Sequence, residues 1–164
     1  MQKNAKTMES AMFDAVVTAP FFSLGIRCAG DDWVDLIEFL PPTPARRATS
    51  PLAAEAARQV RIFLDEPEFV FGLPLKPAGT VFQRRVWQQI ADIPVGRTRT
   101  YGELATAIGS APRAVGQACG ANPYPLVVPC HRVVAANGGL GGFNRQGGGL
   151  LLDIKRWLLA REER

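Results

Sequence analysis

The stretch Gly72-Leu73-Pro74-Leu75-Lys76-Pro77-Ala78-Gly79 constrains the fold of this chain more than any other. Proline lacks a backbone N–H and fixes its own φ, and glycine loosens the chain, so neither a helix nor a central strand can run through it. It reads as a linker. Composition changes across it as well. Residues 1–78 hold eight Lys or Arg against ten Asp or Glu, and residues 79–164 hold eleven against five. Ten of those eleven cations are arginine, which suits bidentate contact with phosphates and bases. Two domains are expected, residues 1–78 including the linker and residues 79–164. A basic second half fits either a polyanionic partner or a solvated basic surface, and charge alone does not choose between them.

The first half reads as three strand-like runs, Phe13–Val17, Phe21–Cys28 and Trp33–Leu40, with a turn at Ala29-Gly30-Asp31-Asp32 between the last two. An antiparallel meander is expected, ended by Pro41-Pro42-Thr43-Pro44. A helix follows, capped by Ser50-Pro51, with apolar positions at Leu52, Ala56, Val60 and Phe63. The second half is mainly helical. Thr80-Val81-Phe82-Gln83 and Thr100-Tyr101-Gly102-Glu103 are capping-box signals. Phe82, Val86 and Ile90 share a face of the first of these helices, with Trp87 beside them. The helix Tyr101–Ile108, the turn Gly109-Ser110-Ala111 and a helix from Arg113 to about Ala121, with Pro112 suited to its first turn, make a helix-turn-helix pattern. The second helix of that pair carries Ala114, Val115, Gly116, Ala118, Cys119 and Gly120, with almost no bulk. It suits a tightly packed internal pair, or close approach to another backbone such as a DNA minor groove. Residues 138–149 are glycine-rich, contain Phe143, Asn144 and Arg145, and read as a loop or lid. A last helix, about Leu150 to Glu163, places Leu151, Ile154, Trp157 and Leu158 on one face.

The composition, 47% apolar and 21% charged, is that of a globular protein. No apolar run approaches the roughly 18 residues that span a bilayer, and the first residues carry no signal-peptide core, so an intracellular, cytoplasmic protein without membrane contact is expected. Three well-separated cysteines, Cys28, Cys119 and Cys130, with no Cys-x-x-Cys pair, make a disulfide framework or a structural zinc site unexpected. Pro129-Cys130-His131-Arg132-Val133-Val134 places a thiol, the only histidine and a cation side by side. Alone, the pair is either a buried cysteine beside an incidental histidine or a nucleophile beside its base. Cys28 reads as a core strand residue and Cys119 as helix packing.

Six ordered blocks decide the matter. Phe82-Gln83-x-x-Val86-Trp87, Ile93-Pro94-x-Gly96-x-Thr98-x-x-Tyr101-Gly102-Glu103-Leu104-Ala105, Arg113-Ala114-Val115-Gly116, Asn122-Pro123, the Pro129–Val134 block and Lys155-x-Trp157-Leu158-Leu159-x-x-Glu162 together resemble the O6-alkylguanine-DNA alkyltransferases, or methylated-DNA–protein-cysteine methyltransferases. The match spans residues 80–164. The N-terminal meander is compatible with the family's small ribonuclease-H-like domain. The resemblance implies an α/β two-domain fold: an antiparallel sheet with a helix, then a helical domain with a helix-turn-helix. It implies direct repair of alkylated double-stranded DNA by a monomer with no cofactor and no metal. An alkyl group passes once and irreversibly from guanine O6, and by extension thymine O4, to Cys130.

The family's roles, carried onto this chain, are these. His131 takes the thiol proton through a water and Glu162 orients it. Asn122 braces the turn before the acceptor, and Tyr101 donates to guanine N3. The carbonyls of Cys130 and Val133 accept from the exocyclic amine, and Phe143, Asn144 and Arg132 complete the base pocket. Arg113 fills the gap left by the rotated base, with Ala114, Gly116 and the Thr100 amide on the DNA. Phe143 is followed by Asn144-Arg145-Gln146 before Gly147–Gly149, a lid about two residues longer than the family's common form. Two other readings, a lesion-binding relative without an acceptor cysteine and a helix-turn-helix regulator without chemistry, leave Cys130 or the whole Pro129–Val134 block without a purpose.

Overall fold

The computed structural model describes residues 12–141 and 149–163. By internal contacts the chain divides between Pro77 and Ala78 into two compact units.

In the first unit, β1 (Ala15–Thr18), β2 (Ser23–Ala29) and β3 (Trp33–Leu40) form an antiparallel sheet in the order β1-β2-β3. Alternation sets the register. Val17 faces Leu24 and Leu24 faces Phe39, while Ala15 faces Ile26 and Ile26 faces Ile37, so six buried apolar residues stack across three strands. A bulge at Arg27/Cys28 shifts the pairing before the turn. On the opposite face the Phe13 ring lies over Gly25, where a Cβ would stand 2.6 Å from it. The helix α1 (Pro51–Asp65) packs on the sheet. Ser50 Oγ accepts from Ala53 N at 3.1 Å, and proline occupies the first helical turn, as the local signal predicts. Ala53, rather than the expected Leu52, enters the core beside Ala56, Ala57, Val60 and Phe63.

Both sheet edges are partly covered. Arg46 pairs with Val16 at the β1 edge. At the β3 edge Val34 N donates to Pro74 O (2.8 Å) and Lys76 N to Val34 O (2.9 Å). Gln59 meanwhile pins Gly72, donating to its carbonyl and accepting from its N–H. The segment that reads as a linker is therefore bonded to the first unit as far as Lys76.

The second unit comprises α2 (Val81–Ala91), β4 (Arg99–Thr100), α3 (Tyr101–Ile108), α4 (Pro112–Gly120), a single 3-10 turn over Cys130–Arg132, β5 (Val133–Val134) and α5 (Leu150–Glu162). The Thr80–Gln83 capping box forms in full. Thr100 Oγ caps α3 by accepting from Glu103 N. Gly109, at φ +67°, ends α3 in the left-handed conformation that glycine adopts without a Cβ penalty. The Trp87 indole donates to Ala118 O at 2.8 Å, tying α2 to α4. Val86, Ile90, Leu104, Val115, Val133 and Ile154 are fully buried. Short β4 pairs in parallel with β5, Arg99 opposite Val133 and Thr100 opposite Val134. That pairing sets the first residue of α3, Tyr101, beside the strand leaving the cysteine turn. In α5 the buried face is Leu152, Ile154, Lys155, Leu158 and Glu162, whereas Leu151 and Trp157 are half-buried. Two charged side chains thus lie on the stripe expected to be apolar.

Candidate active site

Cys130 opens the 3-10 turn, and its side chain is buried. The approach to it is held by Asn122. Asn122 Oδ1 accepts from Tyr124 N (2.9 Å), and its Nδ2 donates to Val128 O (2.9 Å) and to Cys130 Sγ (3.1 Å). Between them Leu126 adopts φ +74°, uncommon for a residue with a branched side chain. One amide therefore closes the turn and touches the sulfur. On the other side Cys130 Sγ lies 3.8 Å from Cys119 O. A carbonyl can only accept, so it favours the S–H form, whereas an amide donor favours the thiolate. The balance lies with the thiol. The hydrogen bond with the Cys119 side chain, then burial and the Cys119 charge, push Cys130 well above the ordinary cysteine range, while Asn122 and Lys155 pull it down. At rest the sulfur is a thiol that needs a base.

His131 is 1% exposed, and its Nε2 lies 2.8 Å from Glu162 Oε1. Burial lowers its pKa, and the Glu162 carboxylate only partly opposes this. The imidazole is therefore neutral and able to accept a proton. Glu162 is itself shared. Arg132 donates Nε to Oε2 (2.9 Å) and an Nη to Oε1 (2.8 Å), and its other Nη to Ile93 O (2.8 Å). Burial pushes the carboxyl up, but the bonds from His131 and Arg132 outweigh it and bring Glu162 to about 2, so it is ionised. Arg132, expected in the base pocket, is thus turned inward, 8% exposed, with its guanidinium on Glu162. Because Arg132 neutralises the carboxylate, Glu162 holds the imidazole without forcing a charge onto it.

Tyr101 is placed by the β4–β5 pairing. Burial, and then the charges of Cys119 and Cys130, raise its pKa, so the phenol remains a hydrogen-bond donor. Gly141, at φ +67°, packs on its ring, where a Cβ would lie 2.8 Å from Cε2. The Val133 carbonyl accepts from Lys155 Nζ (2.7 Å), and the Cys130 carbonyl from Val133 N. Each oxygen has a second lone pair for another donor.

Lys155 was given no role by the sequence. It is fully buried, and it is the cation that acts on the sulfur, whereas Arg132 is the one adjacent in sequence. The available signal was its spacing: Lys155, Leu158 and Glu162 recur at helical intervals on one face of α5.

Arg113 is exposed at the start of α4, while Ala114 and Gly116 are half-buried. These three help to line an open cleft of about 830 Å³ with Phe82, Gln83 and Gln117. A Cβ on Gly116 would meet nothing within 4 Å, so the face there is open. The Thr100 hydroxyl is committed to its cap. Phe143 and Asn144 lie outside the described residues. Cys28 is half-buried, and its thiol is pushed up to about 11 by burial and then by Asp14, Asp35 and Asp31, which makes it a poor nucleophile. Among the described residues no group of three His, Cys, Asp or Glu is placed to hold a metal ion, and no helix is long and apolar enough to cross a membrane.

Comparison with known proteins bears on this geometry. Residues 81–164 match the family described as 6-O-methylguanine DNA methyltransferase, DNA binding domain. A constitutive methylated-DNA–protein-cysteine methyltransferase of Bacillus subtilis is 41% identical over 79% of this chain and 76% of its own length. A methylated-DNA–protein-cysteine methyltransferase of Methanosarcina acetivorans is 42% identical over 80% of this chain and 74% of its own. The crystal structure of Mycobacterium tuberculosis OGT in complex with DNA is similar, with a TM-score of 0.71 at 32% identity, covering 90% of this chain and 91% of that one.

Proposed function

The chain belongs to the methylated-DNA–protein-cysteine methyltransferase family, and from that premise we propose that Cys130 is the single-use acceptor of an alkyl group lifted from guanine O6 in duplex DNA. The activity is DNA repair by alkyl transfer, and the partner is DNA. One observation carries the assignment to Cys130: its buried sulfur lies 3.1 Å from the Asn122 amide, and the next residue is a neutral imidazole bound to ionised Glu162.

The step is a displacement at carbon. The Cys130 S–H proton passes to His131 through a water as sulfur attacks. The S–C bond forms, the C–O6 bond breaks, and the electron pair leaves on guanine. Tyr101 donates to ring N3 as that charge develops. Glu162 stabilises the imidazolium, and Arg132 holds Glu162 in place. A thioether is a poor leaving group, so the sulfur stays alkylated and each molecule acts once.

A stacked guanine cannot reach a buried sulfur, so the base rotates out of the duplex. Helices α3 and α4 act as a helix-turn-helix with α4 in the minor groove. Ala114 and Gly116 allow close approach, Arg113 fills the vacated place, and the Thr100 amide contacts the backbone. Phosphate contacts supply most of the affinity, so binding weakens with salt. O4-alkylthymine enters the same pocket as O6-alkylguanine. The first unit is the small ribonuclease-H-like domain, and the protein works as a cytoplasmic monomer without cofactor.

The test is single-turnover repair of a duplex carrying O6-methylguanine. Wild type removes one methyl per molecule. Cys130→Ser binds the same duplex, more weakly as salt rises, and removes none. Repair by Cys130→Ser would overturn the assignment.

A further inference from the structure

We propose that Lys155 is a positioning residue: its ammonium bonds the Val133 and Leu140 carbonyls together and so fixes the entrance of the glycine-rich segment against the wall that receives the base. The proposal rests on the base-pocket reading above.

The side chain is fully buried, and Nζ donates to Val133 O at 2.7 Å and Leu140 O at 2.5 Å. Removing an ammonium from water is costly, and replacing a buried charge by an apolar side chain of similar size often leaves stability unchanged. Stability alone gives no reason for a lysine here. What the lysine supplies is a link between two segments. Val133 lies in β5, whose strand leaves the cysteine turn. Leu140 lies near the start of the glycine-rich segment, and the next residue, Gly141, lies on the Tyr101 ring. Nζ itself is 5.8 Å from the centre of that ring. One ammonium therefore holds three parts of the pocket in register: a carbonyl assigned to the guanine amine, the start of the lid, and the ring assigned to N3. It uses one lone pair of Val133 O and leaves the other.

Among the described residues, Tyr101 from α3, Cys119 from α4, and Cys130 and His131 from the 3-10 turn are titratable groups that interact with Lys155. Burial brings the ammonium down to about 8, against the upward pull of Cys119 and Cys130. Above that pH the clamp loses its charge, its bonds lose their charge assistance, and Cys130 loses a cation.

The experiment uses the full chain, without DNA first. Backbone amide exchange is followed at Leu140 and Gly141 in wild type and Lys155→Met. The variant should exchange about tenfold faster there while remaining folded, as expected when a local clamp is released. Methyl transfer from an O6-methylguanine duplex is then measured against DNA concentration. Misplacement of a positioned group by about an ångström costs up to about a hundredfold, so the limiting rate should fall by about ten- to a hundredfold. The half-saturating concentration should change little, since Arg113 and α4 are untouched. In wild type, protection at Gly141 should fall as pH passes 8, beyond the intrinsic rise of exchange with pH, while Lys155→Arg, which does not titrate there, keeps it. The wild-type measurement stands even where Lys155→Met fails to fold. Unchanged exchange in a folded Lys155→Met protein, or identical pH profiles for wild type and Lys155→Arg, would overturn the clamp. Absence of methyl transfer by wild type would instead overturn the acceptor reading, and the exchange data would still decide the clamp.

Discussion

Among the described residues, the buried polar side chains of the first unit are Ser23, Thr43 and Gln59, and those of the second are Asn122, His131, Arg132, Lys155 and Glu162. The first three are neutral and complete the scaffold. Ser23 Oγ donates to Thr43 O and accepts from Thr43 N, and Gln59 pins Gly72. Four of the second five can carry charge. Taking an ion out of water costs several kcal/mol even after the protein relaxes, so burying Arg132, Lys155 and Glu162 around one imidazole in a small unit is a poor route to stability. Such charges collect where pKa values must be tuned for chemistry. The cysteines repeat the contrast. Cys28 and Cys130 are both raised, but the charged neighbours of Cys28 are carboxylates, whereas Cys130 has an amide donor and an ammonium pulling the other way. Depth of burial does not single out the proposed acceptor. The groups that would stabilise its thiolate do.

Substitutions can break this comparison. The largest effect is expected from Glu162→Ala, which leaves the Arg132 guanidinium and His131 buried without their carboxylate. Loss of one partner of a buried pair costs about 3–5 kcal/mol, measurable by urea denaturation followed through Trp87 and Trp157 fluorescence. The same carboxylate gives the second unit an acid dependence. Its pKa is lowered from 4.5 to about 2 in the folded state, so its contribution is complete above pH 4.5 and is lost as pH falls through about 2. Glu162→Gln should flatten that loss. An unchanged acid profile would show that the Arg132–Glu162–His131 array does not stabilise the fold.

Asn122→Ala should come next. It removes a buried donor from Val128 O and from Cys130 Sγ, costing about 1–3 kcal/mol, and it takes away one of the two influences that favour the thiolate. The rate of Cys130 alkylation by iodoacetamide should therefore fall at a given pH. A faster rate would mean that Asn122 shields the sulfur and does not activate it. Ser23→Ala, in the other unit, should cost only about 1 kcal/mol and leave that rate unchanged. A loss as large as that of Glu162→Ala would erase the distinction between the two units.

Local features were readable from the chain. Ser50-Pro51, Thr80–Gln83 and Thr100 each act within three residues, and their helices begin where those caps stand. The strand alternation in residues 13–40 was equally plain. Non-local partners were hidden. The proline-rich stretch 72–79 looks like a linker because its bonds to Val34 and Gln59 come from residues far along the chain. Adjacency made Arg132 look like the cation beside the thiol, but the 3-10 turn sends its guanidinium to Glu162, 30 residues away. Lys155 takes that place from α5, on a face where only its spacing with Leu158 and Glu162 hinted at burial. The proposed base pocket inherits the same limit, since its assigned groups come from β5, α3, α5 and the start of the glycine-rich segment.

The central proposal is that one sulfur among three, that of Cys130, receives the alkyl group. It is tested most directly by incubating the protein with a duplex carrying O6-methylguanine, followed by intact mass and peptide mapping. One added methyl is expected, on the peptide holding Cys130, and no further reaction with fresh duplex. A methyl on Cys28 or Cys119, or an unmodified Cys130 after the lesion has been repaired, would contradict it.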